Sequence, residues 1–486
     1  MIHSLKPLSA GCLLAISAVA TTTAVEPDPS TRQQIEAVEQ GLLPSVRIKG
    51  RTKPLTISSR MEHYQVPAIS IAVIDGHRIV WARGYGVTDV DDPHPVDEHT
   101  LFQAASISKP VSALAALKLV EDGAITLDGN VNQWLKSWEL PENDFTKQHP
   151  VTLETLLSHT AGTTVHGFGG YRPGTELPTL PQILNGEPPA NSSAVRVDKM
   201  PGKGFRYSGG GTTIVQQLVE DVSGRPYAEF LQTEVLTPLG MLESSYEQPL
   251  PANRHTQAAR GHNPRGRRVK GGWQVYPERA AAGLWTTPTD LARYAIEVQL
   301  AYHDKSHKVL ARDTVRDMLT PRGPYGLGPR VSVGDEATRF SHGGSNEGFK
   351  CQLFADLKRG QGAAVMTNGD QGAALAREVL NAIAAVYDWP DFLSPEHEIA
   401  DVDEAVLKRY VGRYVLKRFG TVVVKAEDGY LSARSLFGPN FQLLFESETE
   451  FFTNLNALSG KFATSDDGRI ELIVRFRDEQ LRGKQR

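Results

Sequence analysis

Two cysteines, Cys12 and Cys351, are all that 486 residues carry. That scarcity excludes a disulfide framework and a cysteine-built zinc site. Beyond the N-terminus, no stretch approaches the roughly 18 consecutive apolar residues that a membrane-spanning helix needs. Neither charge sign dominates: 52 Lys and Arg face 56 Asp and Glu, a formal net charge of −4, so the basic footprint of nucleic-acid binding is missing. No internal repeat marks a solenoid or a propeller. What is present is ordinary globular composition, 40% hydrophobic and 22% charged, in a chain long enough for more than one domain.

The N-terminus reads as an address. Met1 to Lys6 is a short basic region, Leu8 to Ala20 is apolar with small residues, and Ala18-Val19-Ala20 or Thr22-Thr23-Ala24 offers a small-x-small cleavage site. The expectation is a secretory signal peptide over residues 1–24 and a secreted or periplasmic protein. Leu8-Ser9-Ala10-Gly11-Cys12 approaches a lipobox, but its leucine stands one position early and most of the apolar run follows the cysteine. No stable membrane anchor is expected. Cleavage leaves Cys351 alone among Phe349, Leu353 and Phe354, in a strand or core setting.

Ala68 to Ile74, Asp75-Gly76-His77 and Arg78 to Gly84 read as a hairpin with a D-G turn. Residues 349–356 and 362–367 look like returning strands, with a helix from Ala373 to Tyr387 packed across them. Between lies a mostly helical region. Within it Ser106-Ile107-Ser108-Lys109 is the one place where a lysine follows a serine by three positions. Leu101 to Ala105 reads as an extended approach; Val111, Leu114, Leu117 and Val120 repeat at spacing three, and Gly123 supplies a stop. On a helix such a pair shares one face, about 5–6 Å apart. Ser106 at the helix N-terminus would meet a positive dipole end, and Lys109 could act as its base only with a lowered pKa.

Two more segments carry chemistry. Tyr207-Ser208-Gly209 precedes a helix with Ile214, Val215, Leu218, Val219 and Val222 on one face, and Ser341-His342-Gly343-Gly344-Ser345 leads into a turn and a strand. Paired glycines let backbone approach a ligand and can present N–H groups to an oxyanion.

In this order, Ser-x-x-Lys, Tyr-Ser-x about 100 residues on and His-x-Gly about 135 further, the chain resembles the serine β-lactamase and penicillin-binding DD-peptidase superfamily, in its class C-like branch. Leu156-Leu157-Ser158-His159-Thr160-Ala161-Gly162, Pro238-Leu239-Gly240-Met241 and Gly283 to Leu291 look like that branch's non-catalytic landmarks, so the resemblance covers about residues 35–390. It implies an α/β (α+β) fold, an antiparallel sheet flanked by helices with a helical lobe carrying Tyr207. It further implies Ser106 as the acylated nucleophile, Lys109 as its base or proton relay and Tyr207 as the second acid/base. Ser106, His342, Gly344 and Ser345 would form the oxyanion and substrate-binding side, with backbone N–H groups of Ser106 and Ser345 as donors. His342 stands where many relatives have lysine. No metal and no cofactor is implied; the partner is a small-molecule or peptide acyl substrate, and oligomeric state is left open.

Two departures bear on substrate. Gly209 replaces the asparagine whose amide contacts the acylamide group in β-lactamases of this branch, and Gly343 replaces a hydroxyl-bearing threonine. Both point away from a dedicated β-lactamase and toward an esterase, amidase or peptidase, weak β-lactam hydrolysis remaining open. Gly167 to Tyr171 and Gly186 to Ser193 read as long loops, with His166 to Tyr171 expected to border a substrate groove where the sheet and the helical lobe meet.

Trp389-Pro390 introduces an acidic, proline-containing stretch, giving a linker at 391–403. From Tyr410 onward, short alternating segments separated by turns such as Asp466-Asp467-Gly468 imply a small all-β unit over 404–486, similar to the lipocalin-like module appended to such hydrolases. Two classes of function follow. One is an exported serine acyl-hydrolase acting on peptide, amide or ester bonds; the other is a non-catalytic sensor that binds penicillin or peptidoglycan.

Overall fold

The computed structural model describes residues 28–51, 53–427, 430–435, 440–453, 458–476 and 479–486. The signal segment expected over 1–24 lies outside the described residues. None of the described helices is long and apolar enough to cross a membrane.

A six-stranded antiparallel sheet organises the first part of the chain. In chain order its strands are β1 (Ala68–Asp75), β2 (Arg78–Gly86), β3 (Arg330–Val333), β4 (Thr338–Asn346), β5 (Phe349–Asp356) and β6 (Gly362–Thr367), arranged β2-β1-β6-β5-β4-β3. The β1–β2 hairpin turns on two left-handed residues, Gly76 and His77 (φ 55° and 61°), so Asp75 ends β1 instead of entering the turn. Both faces of β1 are buried. Ile69, Ile71 and Val73 join a core that includes Val379, Leu380 and Ile383 of α4 (Gly372–Val386). Ala68, Ala72 and Ile74 join the larger core on the other face, which holds α1 (Ser108–Glu121), α2 (Gly209–Ser223) and α3 (Pro288–Tyr302). A strand covered on both sides reads as an unbroken apolar run, which is how Ala68 to Ile74 looks in the sequence.

The C-terminal part forms an eight-stranded antiparallel sheet, β7 (Gly412–Leu416) through β14 (Glu479–Lys484), paired in chain order. A bridge between Tyr414 and Gln485 brings its first and last strands together, so the barrel is nearly closed. Its core is its own, with Tyr414, Val424, Leu431, Leu443, Phe451, Phe462 and Leu472 turned inward. The segment read as a linker supplies Glu396–His397, which pair in parallel with Arg47–Ile48. His397 also stacks on Phe452 with ring centres 3.9 Å apart.

Candidate active site

Ser106 is held on a turn fixed from three sides. Phe102 and Gln103 pair with Thr286 and Trp285, and the Ala104 amide donates to the Leu284 carbonyl at 2.9 Å. Ala105 is left-handed at φ 50°, a conformation costing a non-glycine residue about 1–2 kcal/mol. The Ser108 hydroxyl ties the turn down, donating to Ala105 O at 2.6 Å and accepting from the Leu284 amide at 3.0 Å. The expected extended approach therefore spans only Phe102–Gln103, and Ser106 lies in a 3-10 turn, Ala105–Ile107, ahead of α1. Long-range pairing with residues 284–286 imposes this kink. Among residues 101–110 only Ser106 is not buried. Gly123 follows the helix end in the left-handed region, φ 72°, as its C′ role requires.

Lys109 points back at the serine. Its Nζ lies 3.1 Å from Ser106 Oγ and donates to the Ala281 carbonyl at 2.8 Å. Burial, with no carboxylate beside it among the described residues, brings the ammonium down to about 7.

Tyr207 precedes Ser208, which caps α2: the Ser208 hydroxyl accepts from the Gly211 amide at 2.9 Å and donates to Thr164 O at 2.6 Å. Lys109 Nζ is 5.1 Å from the centre of the Tyr207 ring. Burial pushes the phenol up to about 12, the nearby Ser106 hydroxyl pulling the other way. Around the ring stand His159, His166, Tyr325 and His342, at 4.4, 5.0, 5.9 and 6.2 Å between ring centres. Phe205 stacks on Tyr325 at 5.4 Å and is 43% exposed, so an aromatic pair stands beside Tyr207 with one ring open to solvent.

β4 passes close to the Ser106 turn because position 344 has no side chain. A Cβ on Gly344 would lie 2.2 Å from the Ala104 carbonyl oxygen and 3.2 Å from the Ala105 Cβ. His342, also on β4, donates from Nδ1 to Gly343 O at 2.7 Å. Its Nε2 is buried with no partner among the described residues. Burial first, then Lys109, lowers the imidazole to about 3, so the ring is neutral where the resemblance places lysine. Backbone pairing decides where the Ser345 amide faces. Asn346 pairs with Phe349 across a two-residue turn, and Leu357 N donates to Thr338 O at 2.9 Å. Even-numbered residues of β4 therefore hydrogen-bond to β5, while the N–H groups of 343 and 345 face the open edge.

The helix-opening glycines admit the neighbouring loop. A Cβ on Gly210 would lie 2.7 Å from Thr164 O, and one on Gly209 would lie 3.1 Å from Phe168 Cε2 and 3.2 Å from His166 O. The space of the absent asparagine is filled by the 166–168 loop. That loop is braced by Asn191, whose Nδ2 donates to Gly170 O at 2.8 Å.

Sequence reasoning found Ser106, Lys109 and Tyr207, which the fold brings together. It missed the Ala281 carbonyl and the pair of Phe205 and Tyr325. Ala281 stands just before the landmark at 283–291, and an apolar Phe205 two residues before the tyrosine was the available hint.

A serine, a lysine with lowered basicity and a neutral tyrosine, meeting beside an antiparallel sheet, define a serine hydrolase of the β-lactamase-related type. The beta-lactamase family profile matches residues 55–388, and the chain belongs to that family. Penicillin-binding protein 4* of Bacillus subtilis (strain 168) is 23% identical over 436 residues, covering 83% of this chain and 92% of that protein. The octameric penicillin-binding protein homologue from Pyrococcus abyssi has a TM-score of 0.61 at 24% identity, over 88% of this chain and 98% of that one. The D-amino acid amidase from Ochrobactrum anthropi SV3 has a TM-score of 0.56 at 19% identity, over 73% and 99%. At these identities the structural likeness is one of fold.

Proposed function

We propose that the protein is an exported acyl-hydrolase that cleaves esters or amides, including D-amino-acid amides and cell-wall-type peptides, through an acyl-enzyme on Ser106. The observation that carries the reading is Lys109 Nζ at 3.1 Å from Ser106 Oγ, without a carboxylate partner among the described residues. Tyrosine and lysine are pushed in opposite directions, which separates the acid from the base. Neutral Lys109 takes the Ser106 proton as Oγ attacks the carbonyl carbon. Amide groups of Ser106 and Ser345 receive the oxyanion, each worth about 3–4 kcal/mol of transition-state stabilisation. Collapse breaks the acyl bond, and the Tyr207 phenol protonates the departing oxygen or nitrogen. The phenolate so formed takes a proton from the attacking water, and Lys109 returns its proton to Ser106 as the acid is released.

Substrate choice follows from two features. Neutral His342 supplies no cation for a substrate carboxylate, and Phe168 closes the place of the acylamide-binding asparagine. Uncharged esters and amides with apolar groups against Phe205 and Tyr325 fit that lining best. Export rests on the basic-apolar pattern of residues 1–24.

The test is intact-protein mass spectrometry of the mature enzyme and Ser106→Ala after exposure to a fluorophosphonate and, separately, to a penicillin. One adduct with the fluorophosphonate, lost in the variant, is expected, with slow or no penicillin adduct. Labelling by neither reagent would return the protein to the class of non-catalytic binders.

A further inference from the structure

His159 belongs to a segment read as a non-catalytic landmark, and the mechanism above makes no use of it. Its surroundings are unusual for a packing residue. The backbone is left-handed, φ 59°, directly after the short helix Leu153–Leu157 and its C-cap Ser158. Its carbonyl accepts from the Arg206 amide at 2.8 Å. Its ring Nδ1 accepts from the Ser208 amide at 3.3 Å. One residue thus receives the N–H groups on both sides of Tyr207, while its ring lies 4.4 Å from the phenol ring. An imidazole that accepts at Nδ1 carries its proton on Nε2, and Nε2 is buried without a partner among the described residues. The ring stands edge-on to Tyr325 at 5.1 Å, 88° between planes.

We propose that His159 is the positioning residue of Tyr207: its carbonyl and its neutral Nδ1 clamp the backbone on either side of the tyrosine, fixing the phenol toward Ser106 and the leaving group. The inference rests on the reading of Tyr207 as the group that protonates the leaving atom. The ring must stay neutral for this, because a proton on Nδ1 would oppose the Ser208 N–H. Burial provides that, holding the imidazole well below its ordinary range, with Lys109, His342 and His166 as the charged or titratable neighbours adding to the effect. A packing role makes a different demand: it needs the ring's bulk and is indifferent to an acceptor at Nδ1.

Asparagine separates the two. Its Oδ1 reaches the place of Nδ1 and it tolerates left-handed backbone, as glycine also does. His159→Asn and His159→Gly therefore share the backbone allowance and differ in the acceptor. The experiment measures kcat/KM for two esters of one acid, an activated 4-nitrophenyl ester and an ethyl ester, in the wild type, H159N, H159G and Tyr207→Phe, with Ser106 labelling by a fluorophosphonate as the check on folding. Loss or misplacement of a proton donor slows the ethyl ester by roughly 100-fold or more and the nitrophenyl ester far less, since nitrophenolate leaves unaided. The expected result is that H159G raises the nitrophenyl-to-ethyl ratio as Y207F does, and that H159N returns it to within about fivefold of wild type, a shift smaller than loss of a general acid produces. An equal fall for both esters in H159G, or failure of H159N to recover the ethyl ester, overturns the clamp. A wild-type ratio in Y207F overturns the reading of Tyr207 and the clamp with it, whereas a changed ratio in Y207F beside an unchanged one in H159G overturns the clamp alone.

Discussion

Lys109 Nζ donates to the Ala281 carbonyl at 2.8 Å while facing Ser106 Oγ at 3.1 Å. That backbone acceptor aims the amine without adding the negative charge that would hold its proton. With the ammonium lowered to about 7, the free amine is present above that pH and lost below it. The expected kcat/KM profile rises with pH to a plateau, its midpoint near 7. Lys109→Arg cannot shed its proton, so steady-state kinetics at pH 8 should show a fall of roughly 10²–10⁴-fold.

Adjacent glycines on β4 should respond differently to a methyl group. At Gly344 the obstacle is backbone, Ala104 O at 2.2 Å, whereas at Gly343 it is the amide end of Gln352 at 3.1 Å. A side chain tip can yield and a backbone carbonyl cannot. Gly344→Ala is expected to cost about 1–3 kcal/mol of stability and, by pushing β4 off the Ser106 turn, roughly 100-fold in kcat/KM. Gly343→Ala should stay close to wild type in thermal melting and in ester hydrolysis.

Restoring the asparagine of the β-lactamase pattern should not by itself restore penicillin acylation. In Gly209→Asn the new Cβ meets the Phe168 ring and the His166 carbonyl, so the variant is expected to form penicillin adduct no faster than wild type. Adding Phe168→Ala opens the space for the amide. The double variant should then gain roughly tenfold in adduct formation, the worth of about one net hydrogen bond, read by intact mass against time.

Glu278 is fully buried, and neither carboxylate oxygen has a partner among the described residues. Desolvation raises the group from 4.5 to about 7. Because the folded-state value is the higher one, the unfolded chain loses this proton first, and stability declines as pH rises from about 4.5 to about 7, then levels. The full span corresponds to about 3 kcal/mol. Glu278→Gln removes the carboxylate while keeping its shape. Urea unfolding at pH 5 and pH 8 should therefore show a smaller pH-dependent loss in the variant, which becomes the more stable protein at pH 8.

Much of this protein follows from local pattern. Unbroken apolar runs mark β1 and β6, and turn residues beside apolar residues mark β2 and β5; helical spacing specifies α1, α2 and α4; the short alternating segments after Tyr410 specify the barrel. The last strand, Glu479–Lys484, was not legible, because its polar residues carry little apolar alternation and only pairing with Ile470–Phe476 makes it a strand. The short helix Glu404–Arg409 was missed for want of a long periodic run. At the site, spacing singled out Ser106 with Lys109, since a side chain three residues on from a helical turn comes back over the same face, and the glycine-rich segments marked backbone approach. Local pattern does not contain what distant segments do to one another. The left-handed Ala105, the Ala281 carbonyl under Lys109, the neutral imidazole of His342, the Phe168 ring over Gly209 and the two-sided hold of His159 on Tyr207 arise only when strand, loop and helix are packed together. Desolvation and hydrogen-bond partners are properties of that packing, and they set how far Lys109, Tyr207 and His342 depart from their ordinary basicity.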